Sequence, residues 1–307
     1  MQAWEKLGRV LAPNPEIPWL VSHVGASFAL PNEESPSSFD LYVTGRDKEN
    51  RSLIGRALLD LESPNKIKTV ETAPVLTLGE RGAFDENGTS YPWLIRERGE
   101  TFLFYTGWVP TVLTPFQNHL GLARKNEEGN FSRVSRAPIL SRDNEDFLSI
   151  GSACVLKEEG TWRMWYTSFL SWGKERGDSP HRYVIKYAES KDGLNWDRSH
   201  QICIDIQNPG EHSIGRPSVI KISGRYHMWY CYRGENYRIG YADSRDGIVW
   251  TRKDNEIDLG RETEDWEKEA QAYPHVISHE KSLYLFYSGN RYGQGGLGLA
   301  RLPLEAF

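Results

Sequence analysis

Little in this chain is built for a charged polymer or a lipid bilayer. Its 37 Lys and Arg are outnumbered by 42 Asp and Glu, for a formal charge of −5 over 307 residues. The basic residues gather into no block, so the electrostatic footprint of a nucleic-acid or anionic-membrane binder is missing. No apolar run approaches the length of a membrane span, and Met1-Gln2-Ala3-Trp4-Glu5-Lys6 lacks the basic head and apolar core of a secretory leader. Cysteine is scarce and odd in number. Cys154, Cys203 and Cys231 stand at unrelated spacings inside strand-like segments, which fits buried reduced thiols and excludes a disulfide framework. A reduced, cytoplasmic setting is expected, in which the Asn87-Gly88-Thr89 sequon goes unused. No Ser/Gly-rich or Pro-rich linker divides the chain, so residues 1–307 are read as one domain.

What the chain has in quantity is aromatic side chains, with 11 Trp, 15 Tyr and 11 Phe. They recur in register. Leu41-Tyr42-Val43-Thr44-Gly45, Phe104-Tyr105-Thr106-Gly107, Trp165-Tyr166-Thr167-Ser168, Trp229-Tyr230-Cys231-Tyr232 and Phe286-Tyr287-Ser288-Gly289 each close an aromatic strand. An apolar residue stands at the same offset before four of them, with Leu94 ahead of Phe104, Val155 of Trp165, Val219 of Trp229 and Val276 of Phe286. Alternating third strands follow at Leu53–Ala57, Leu120–Ala123, Val184–Ala188, Ile239–Ala242 and Leu297–Ala300. Fourth strands are expected at Val70–Leu76, from Phe131 toward Leu140, at Trp196–Ile204 and at Trp250–Leu259. Such a recurrence of short strands predicts an all-β chain, a five-bladed β-propeller.

Both chain ends fit that reading. The fifth repeat stops after its third strand, and Trp4-Glu5-Lys6-Leu7-Gly8-Arg9-Val10-Leu11 copies the fourth-strand pattern. The N-terminal strand is therefore expected to complete the last blade and close the ring, which removes an open edge. The turns Ser190-Lys191-Asp192-Gly193-Leu194-Asn195-Trp196 and Ser244-Arg245-Asp246-Gly247-Ile248-Val249-Trp250 carry the Asp-Gly hairpin signal and read as structural.

First and second strands of a hairpin run antiparallel, so residues just before the first and just after the second surround one funnel. Carboxylates are dense there, and Asp85, Glu211 and Glu269, from blades two, four and five, stand at nearly the same blade position. Glycoside chemistry needs one carboxylic acid to protonate a leaving oxygen and one carboxylate as base or nucleophile, so these three are the catalytic candidates. His23, Arg46, Asp47, Tyr91, Trp108, His212, Arg216, Tyr273 and Asn290 are the candidates for holding substrate. Arg216 occupies the inner-strand position that Tyr91, Ser152 and Tyr273 fill elsewhere, and a cation there either meets a polar ligand or neutralises carboxylates. Lone histidines without ligand spacing call for no metal, and no cofactor is implied.

Through its Tyr-Thr-Gly strand ends, Ser-x-Asp-Gly-x-x-Trp turns and aromatic hairpins, the chain resembles the five-bladed propeller glycoside hydrolases: arabinanases, levansucrases and invertases. Thr44-Gly45-Arg46-Asp47, Ala83-Phe84-Asp85-Glu86-Asn87-Gly88, Gly215-Arg216-Pro217-Ser218-Val219 and Ser288-Gly289-Asn290-Arg291-Tyr292-Gly293 are similar to uncharacterised glycosidase-like proteins of polysaccharide biosynthesis clusters. The resemblance implies a carbohydrate or glycoconjugate ligand. The Asp-Pro that opens the first inner strand of arabinanase-like enzymes is here Gly25-Ala26-Ser27, and the invertase-like Asn-Asp-Pro-Asn and Glu-Cys motifs are absent. The leading expectation is a glycoside hydrolase or transglycosidase working by paired carboxylates. The alternative is a non-catalytic sugar-binding propeller, and a sialidase-like enzyme, suggested by the Asp-Gly-Trp turns with Arg46, Arg216 and Arg233, comes third.

Overall fold

Alternating apolar and polar positions place every second side chain on one face of a strand, and in this chain they yield strands almost throughout. The computed structural model describes residues 1–33, 35–64, 67–173, 181–260 and 264–307. Five antiparallel units of four strands stand out among the described residues. Unit one comprises Val24–Pro31, Ser38–Arg46, Ser52–Asp60 and Ile67–Val70, and unit two Thr89–Glu97, Glu100–Pro110, Phe116–Lys125 and Phe131–Arg133. Unit three comprises Ile150–Glu158, Thr161–Ser171, Arg182–Ser190 and Asp197–Ile204, and unit four Ser213–Ile222, Arg225–Arg233, Tyr237–Ser244 and Thr251–Arg252. A single parallel bridge, Tyr183 to Ser213, joins units three and four.

Unit five has three strands from the C-terminal end of the chain, Ala272–His279, Ser282–Ser288 and Leu297–Pro303, and its fourth from the other end. Glu5–Leu11 pairs antiparallel with Leu297–Pro303, with Glu5 opposite Arg301 and Leu11 opposite Leu297. The outer-strand pattern read in Trp4–Leu11 thus forms the expected pairing. Just before it, Gln2–Ala3 pairs in parallel with Ile257–Asp258 of the segment after unit four. First strands of successive units touch in a continuous series: one with two, two with three, three with four, four with five, and five with one.

Three fourth strands differ from expectation. In unit two the strand is Phe131–Arg133 and stops short of Leu140, which keeps an isolated bridge to Leu120. In unit one the strand is Ile67–Val70 and ends where Val70–Leu76 was to begin, because Pro74 has no N–H for a ladder. Only an isolated bridge from Ile54 to Leu76 remains there. In unit four Thr251–Arg252 gives way to a short 3-10 turn, Asp254–Glu256. The Asp254 carboxylate accepts from the Tyr241 N–H at 3.1 Å and from the Tyr230 hydroxyl, which turns the chain inward and ends the strand.

Tryptophans tie unit to unit. Trp93 Nε1 donates to the Val155 carbonyl at 2.6 Å, Trp165 Nε1 to Gly247 O at 2.7 Å, and Trp229 Nε1 to Gln2 Oε1 at 3.3 Å. Trp19, Trp165 and Trp229 are fully buried, and each such side chain contributes roughly 2 to 3 kcal/mol through removal of apolar surface from water. Cys154, Cys203 and Cys231 are free and buried, as expected. Both Asp-Gly turns are structural: Ser244 Oγ accepts from the Gly247 N–H at 2.9 Å, and Trp250 Nε1 donates to Gly247 O at 2.9 Å. No helix among the described residues is long and apolar enough to cross a membrane.

Candidate functional site

Each first strand carries a β-bulge at the same place, where two residues face one on the second strand. In four units the bulged residue is Tyr91, Ser152, Arg216 or Tyr273, with φ of 53°, 53°, 52° and 57°. Left-handed backbone is costly for residues with a Cβ, on the order of 1 to 2 kcal/mol each, and a repeated outlier marks a position where geometry matters. The bulge redirects these four side chains into one cavity of about 1040 Å³. Unit one has Gly25 at this place, and a side lobe of about 260 Å³ opens over Gly25 and Ala26.

Aromatic rings form one part of the wall. Phe116, Phe169, Trp172, Tyr183, Tyr237 and Tyr292 join Tyr91 and Tyr273. Phe169 packs against Trp172 at 4.9 Å and Tyr183 at 4.7 Å between centroids, and Phe116 meets Trp172 edge-on at 5.1 Å. This side of the wall is raised by the long hairpin strands Glu100–Pro110, Phe116–Lys125 and Thr161–Ser171. Burial raises the pKa of the Tyr91, Tyr183, Tyr237 and Tyr273 phenols, so their hydroxyls stay protonated. Three guanidinium groups, Arg46, Arg216 and Arg233, line the main cavity against one carboxylate, Glu235, among the described residues. Arg233 stacks 5.2 Å from the Tyr237 ring and donates to the Tyr292 hydroxyl at 3.1 Å.

Two histidines beside the cavity have lowered pKa values. Burial, then Arg46, lowers His23 to about 4, and its Nδ1 lies 2.8 Å from Ser22 Oγ in the side lobe. Burial, then Arg233 and His212, lowers His181. His212 is engaged at both ring nitrogens, Nδ1 with Ser213 Oγ at 2.6 Å and Nε2 with Gly234 O at 2.9 Å.

Seven of the expected substrate-holding residues therefore meet. Arg46, Tyr91, His212, Arg216 and Tyr273 line the main cavity, and His23 and Trp108 the side lobe. Asp47 and Asn290 do not line it. Asp47 folds the turn after its strand, accepting from Arg51 N and Arg51 Nε, both at 2.8 Å, rather than pairing with Arg46. Asn290 Oδ1 accepts from Glu269 N at 2.9 Å and Nδ2 donates to Asp265 O at 2.7 Å, which holds the loop before unit five. Sequence reading left out Phe116, Asn118, Phe169, His181, Tyr183, Tyr237 and Tyr292. The signal for several of them was present: the stretch from second-strand to third-strand motif is longest in units two and three, Gly107 to Leu120 and Ser168 to Val184, and a longer hairpin projects further over the funnel.

The three candidate carboxylates lie off the cavity lining. Asp85 is fully buried, with Arg133 Nε at 2.7 Å and the Tyr105 hydroxyl at 2.9 Å. Glu211 is clamped by Arg252 at 2.7 and 2.9 Å and accepts from Gln207 N at 2.9 Å; burial raises its pKa, but these partners outweigh burial and lower it. Glu269 is exposed, 4.0 Å from Arg291 Nε. Asp146 and Glu267 stand just before the first strands of units three and five and show the same design as Asp85. Asp146 takes Lys186 Nζ at 2.6 Å, Arg198 Nη1 at 3.2 Å and the Tyr166 hydroxyl at 2.6 Å, and Glu267 takes Lys6 Nζ at 2.9 Å. The recurring carboxylate is thus a latch between the first strand's approach and the fourth strand. Asp143, Asp146 and His200 bring ligand atoms within 4.8 Å of one another, but Lys186 and Arg198 already satisfy Asp146, so the cluster is an ion-pair network.

No family profile matches the chain. Two proteins of Mycobacterium tuberculosis, described as uncharacterized protein MT1551 and uncharacterized protein Rv1502, are each 38% identical to it over 302 residues, covering 98% of this chain and 99% of theirs. Among solved structures, a glycoside hydrolase superposes with a TM-score of 0.77 at 18% identity over 99% of this chain and 92% of its own. A thermostable family-43 glycoside hydrolase gives 0.67 at 18% identity, over 94% and 91%. A structure from work on the GH130 family of mannoside phosphorylases, which contains glycoside hydrolases that target β-1,2 mannosidic linkages in Candida mannan, gives 0.72 at 16% identity, over 99% and 94%. At these identities the shared property is the fold, the one that the repeats resemble.

Proposed function

The chain belongs to the family of the two uncharacterised mycobacterial proteins, and from that membership and the shared fold we propose that it is a carbohydrate-active protein, a five-bladed β-propeller whose axial cavity seats a glycoside. The series of contacts between first strands, returning from unit five to unit one, supports the ring. The observation that carries the function is the cavity's chemistry: ring faces of Tyr91, Trp172, Tyr183 and Tyr273 beside the polar groups of Arg46, Asn118 and Ser152. Sugars present C–H faces to aromatic rings and hydroxyls to fixed polar groups, and a concave site of this size encloses one or a few rings.

The test is a titration of the protein with mono- and oligosaccharides, followed by tryptophan fluorescence and calorimetry. Saturable binding that Trp172→Ala weakens about tenfold is expected, and failure of every glycoside to bind overturns the reading. Glycoside cleavage is a second reading, supported by Glu235 at the rim of the cavity and by the neighbours' fold. It is tested on aryl-glycosides and oligosaccharides, with Glu235→Gln expected to lower turnover at least 100-fold while binding persists. Asp85→Asn, Glu211→Gln and Glu269→Gln in the same assay test the paired-carboxylate mechanism, which fails if all three keep full turnover.

A further inference from the structure

Arg216 is 1% exposed. Its Nη2 donates to Ser27 O at 2.6 Å and Pro92 O at 3.2 Å, and its guanidinium lies 5.9 Å from the Tyr91 ring and 5.8 Å from the Trp93 ring. Nε and Nη1 have no hydrogen-bond partner among the described residues. Among the described residues no carboxylate pairs with it either. Burial lowers its pKa to about 10, and the groups that act against this are Cys154, Tyr91 and Cys231, none of them an anion at neutral pH.

The other strongly buried cations among the described residues have acidic partners: Lys186 has Asp146, and Arg252 has Glu211 and Asp254. A guanidinium kept out of water without a counter-charge is unfavourable unless something else supplies one. Ser152 Oγ and Thr167 Oγ1 are also buried without partners among the described residues, and both residues line the same cavity as Arg216. The sequence alternative, that Arg216 neutralises neighbouring carboxylates, finds no carboxylate paired with it among the described residues.

We infer that the ligand of this cavity presents an oxyanion, a carboxylate or phosphate group, to Arg216, with Ser152 and Thr167 completing the subsite. The inference rests on the carbohydrate reading for the rest of the ligand and takes its charge from the unpaired floor. Guanidinium donors in a fixed fork match the two or three oxygens of such a group, and Arg46 and Arg233 nearer the rim favour entry of the same charge.

The experiment compares, by calorimetry, matched probes in the gluco, galacto and manno configurations: the neutral hexose, the hexuronate and the hexose 1-phosphate, with inorganic phosphate alone. The wild type is expected to bind a charged sugar at least tenfold more tightly than its neutral counterpart. Arg216→Gln should remove that preference, and Arg216→Lys should restore part of it. A hexuronate preference assigns a carboxylate, and a preference for hexose 1-phosphate shared by inorganic phosphate assigns a phosphate. Equal affinity for neutral and charged sugars in the wild type overturns the inference and leaves the carbohydrate reading standing. Binding of phosphate that depends on Arg216, with no sugar bound, does the reverse, and binding of nothing overturns both. The wild-type comparison needs no variant, so it decides the matter even if Arg216→Gln fails to fold.

Discussion

At the scale of single residues, a carboxylate's surroundings decide its role more than its place in a repeat. Asp85, Asp146 and Glu211 each receive a cation and hydrogen bonds inside the protein, and removing one partner of such a pair leaves a buried charge alone. Asp85→Asn is expected to lower stability by about 3 kcal/mol, read as a fall of several degrees in Tm, with sugar affinity unchanged; an unaltered melt would remove its latch role. Asp146 adds a pH test. Burial raises its pKa, but hydrogen bonds from Lys186, Ser168 and Tyr166 outweigh burial and bring it to about 2. A folded pKa below the unfolded value makes a contribution that is full above about pH 4 and is lost as pH falls toward 2, here about 2 kcal/mol. The stability gap between wild type and Asp146→Asn should therefore narrow across that window, and a constant gap would contradict the assignment. His23 gives the opposite case: already neutral above about pH 4, it should add nothing to any pH dependence of ligand affinity between pH 5 and 8, so titrations of wild type and His23→Gln at each pH should give profiles of the same shape.

At the scale of elements, four fourth strands share one short pattern, an aromatic residue, any residue, then a cation. The copies are Phe131-Ser132-Arg133, Trp196-Asp197-Arg198, Trp250-Thr251-Arg252 and Trp4-Glu5-Lys6. The aromatic residue packs in or against the core, and the cation reaches back to the latch carboxylate of its own unit. Lys6 making this contact with Glu267 identifies Glu5–Leu11 as a fourth strand by its chemistry as well as by its pairing. Arg252 binds Glu211 and Asp254 with a side chain only 5% exposed, whereas Lys6 is 17% exposed. Arg252→Ala should accordingly cost about 3 to 5 kcal/mol in denaturant melts and Lys6→Ala distinctly less, since solvent screens the more exposed pair. Equal losses would mean that burial does not set the strength of the latch.

For the molecule as a whole, the consequence is that residues far apart in sequence share one fate. Deleting residues 1–11 removes the outer strand of unit five, the Lys6 partner of Glu267 and the Gln2–Ala3 pairing with Ile257–Asp258. Tryptophan fluorescence and far-ultraviolet dichroism of that variant should lose the single cooperative transition of the full chain. Retention of one cooperative melt at an unchanged midpoint would show that the two ends are not coupled. The cavity depends on the same integrity, because Arg46, Tyr91, Ser152, Arg216 and Tyr273 come from five different units.

Strand order, the units' hairpins, the buried thiols and the N-terminal strand's pairing were determined by the sequence alone, because alternation and turn chemistry act over a few residues and repeat at a steady interval. The bulge position was legible too, since Tyr91, Ser152, Arg216 and Tyr273 hold equivalent places. Which carboxylates face solvent, ligand or a cation was decided only in three dimensions. Asp85 meets Arg133 across 48 residues and Glu211 meets Arg252 across 41, and a side chain's partner at that separation depends on how strands pack, which no local pattern encodes. The same holds for Arg216, whose place on an inner strand was evident but whose lack of a counter-charge emerged only when every neighbouring unit was in position.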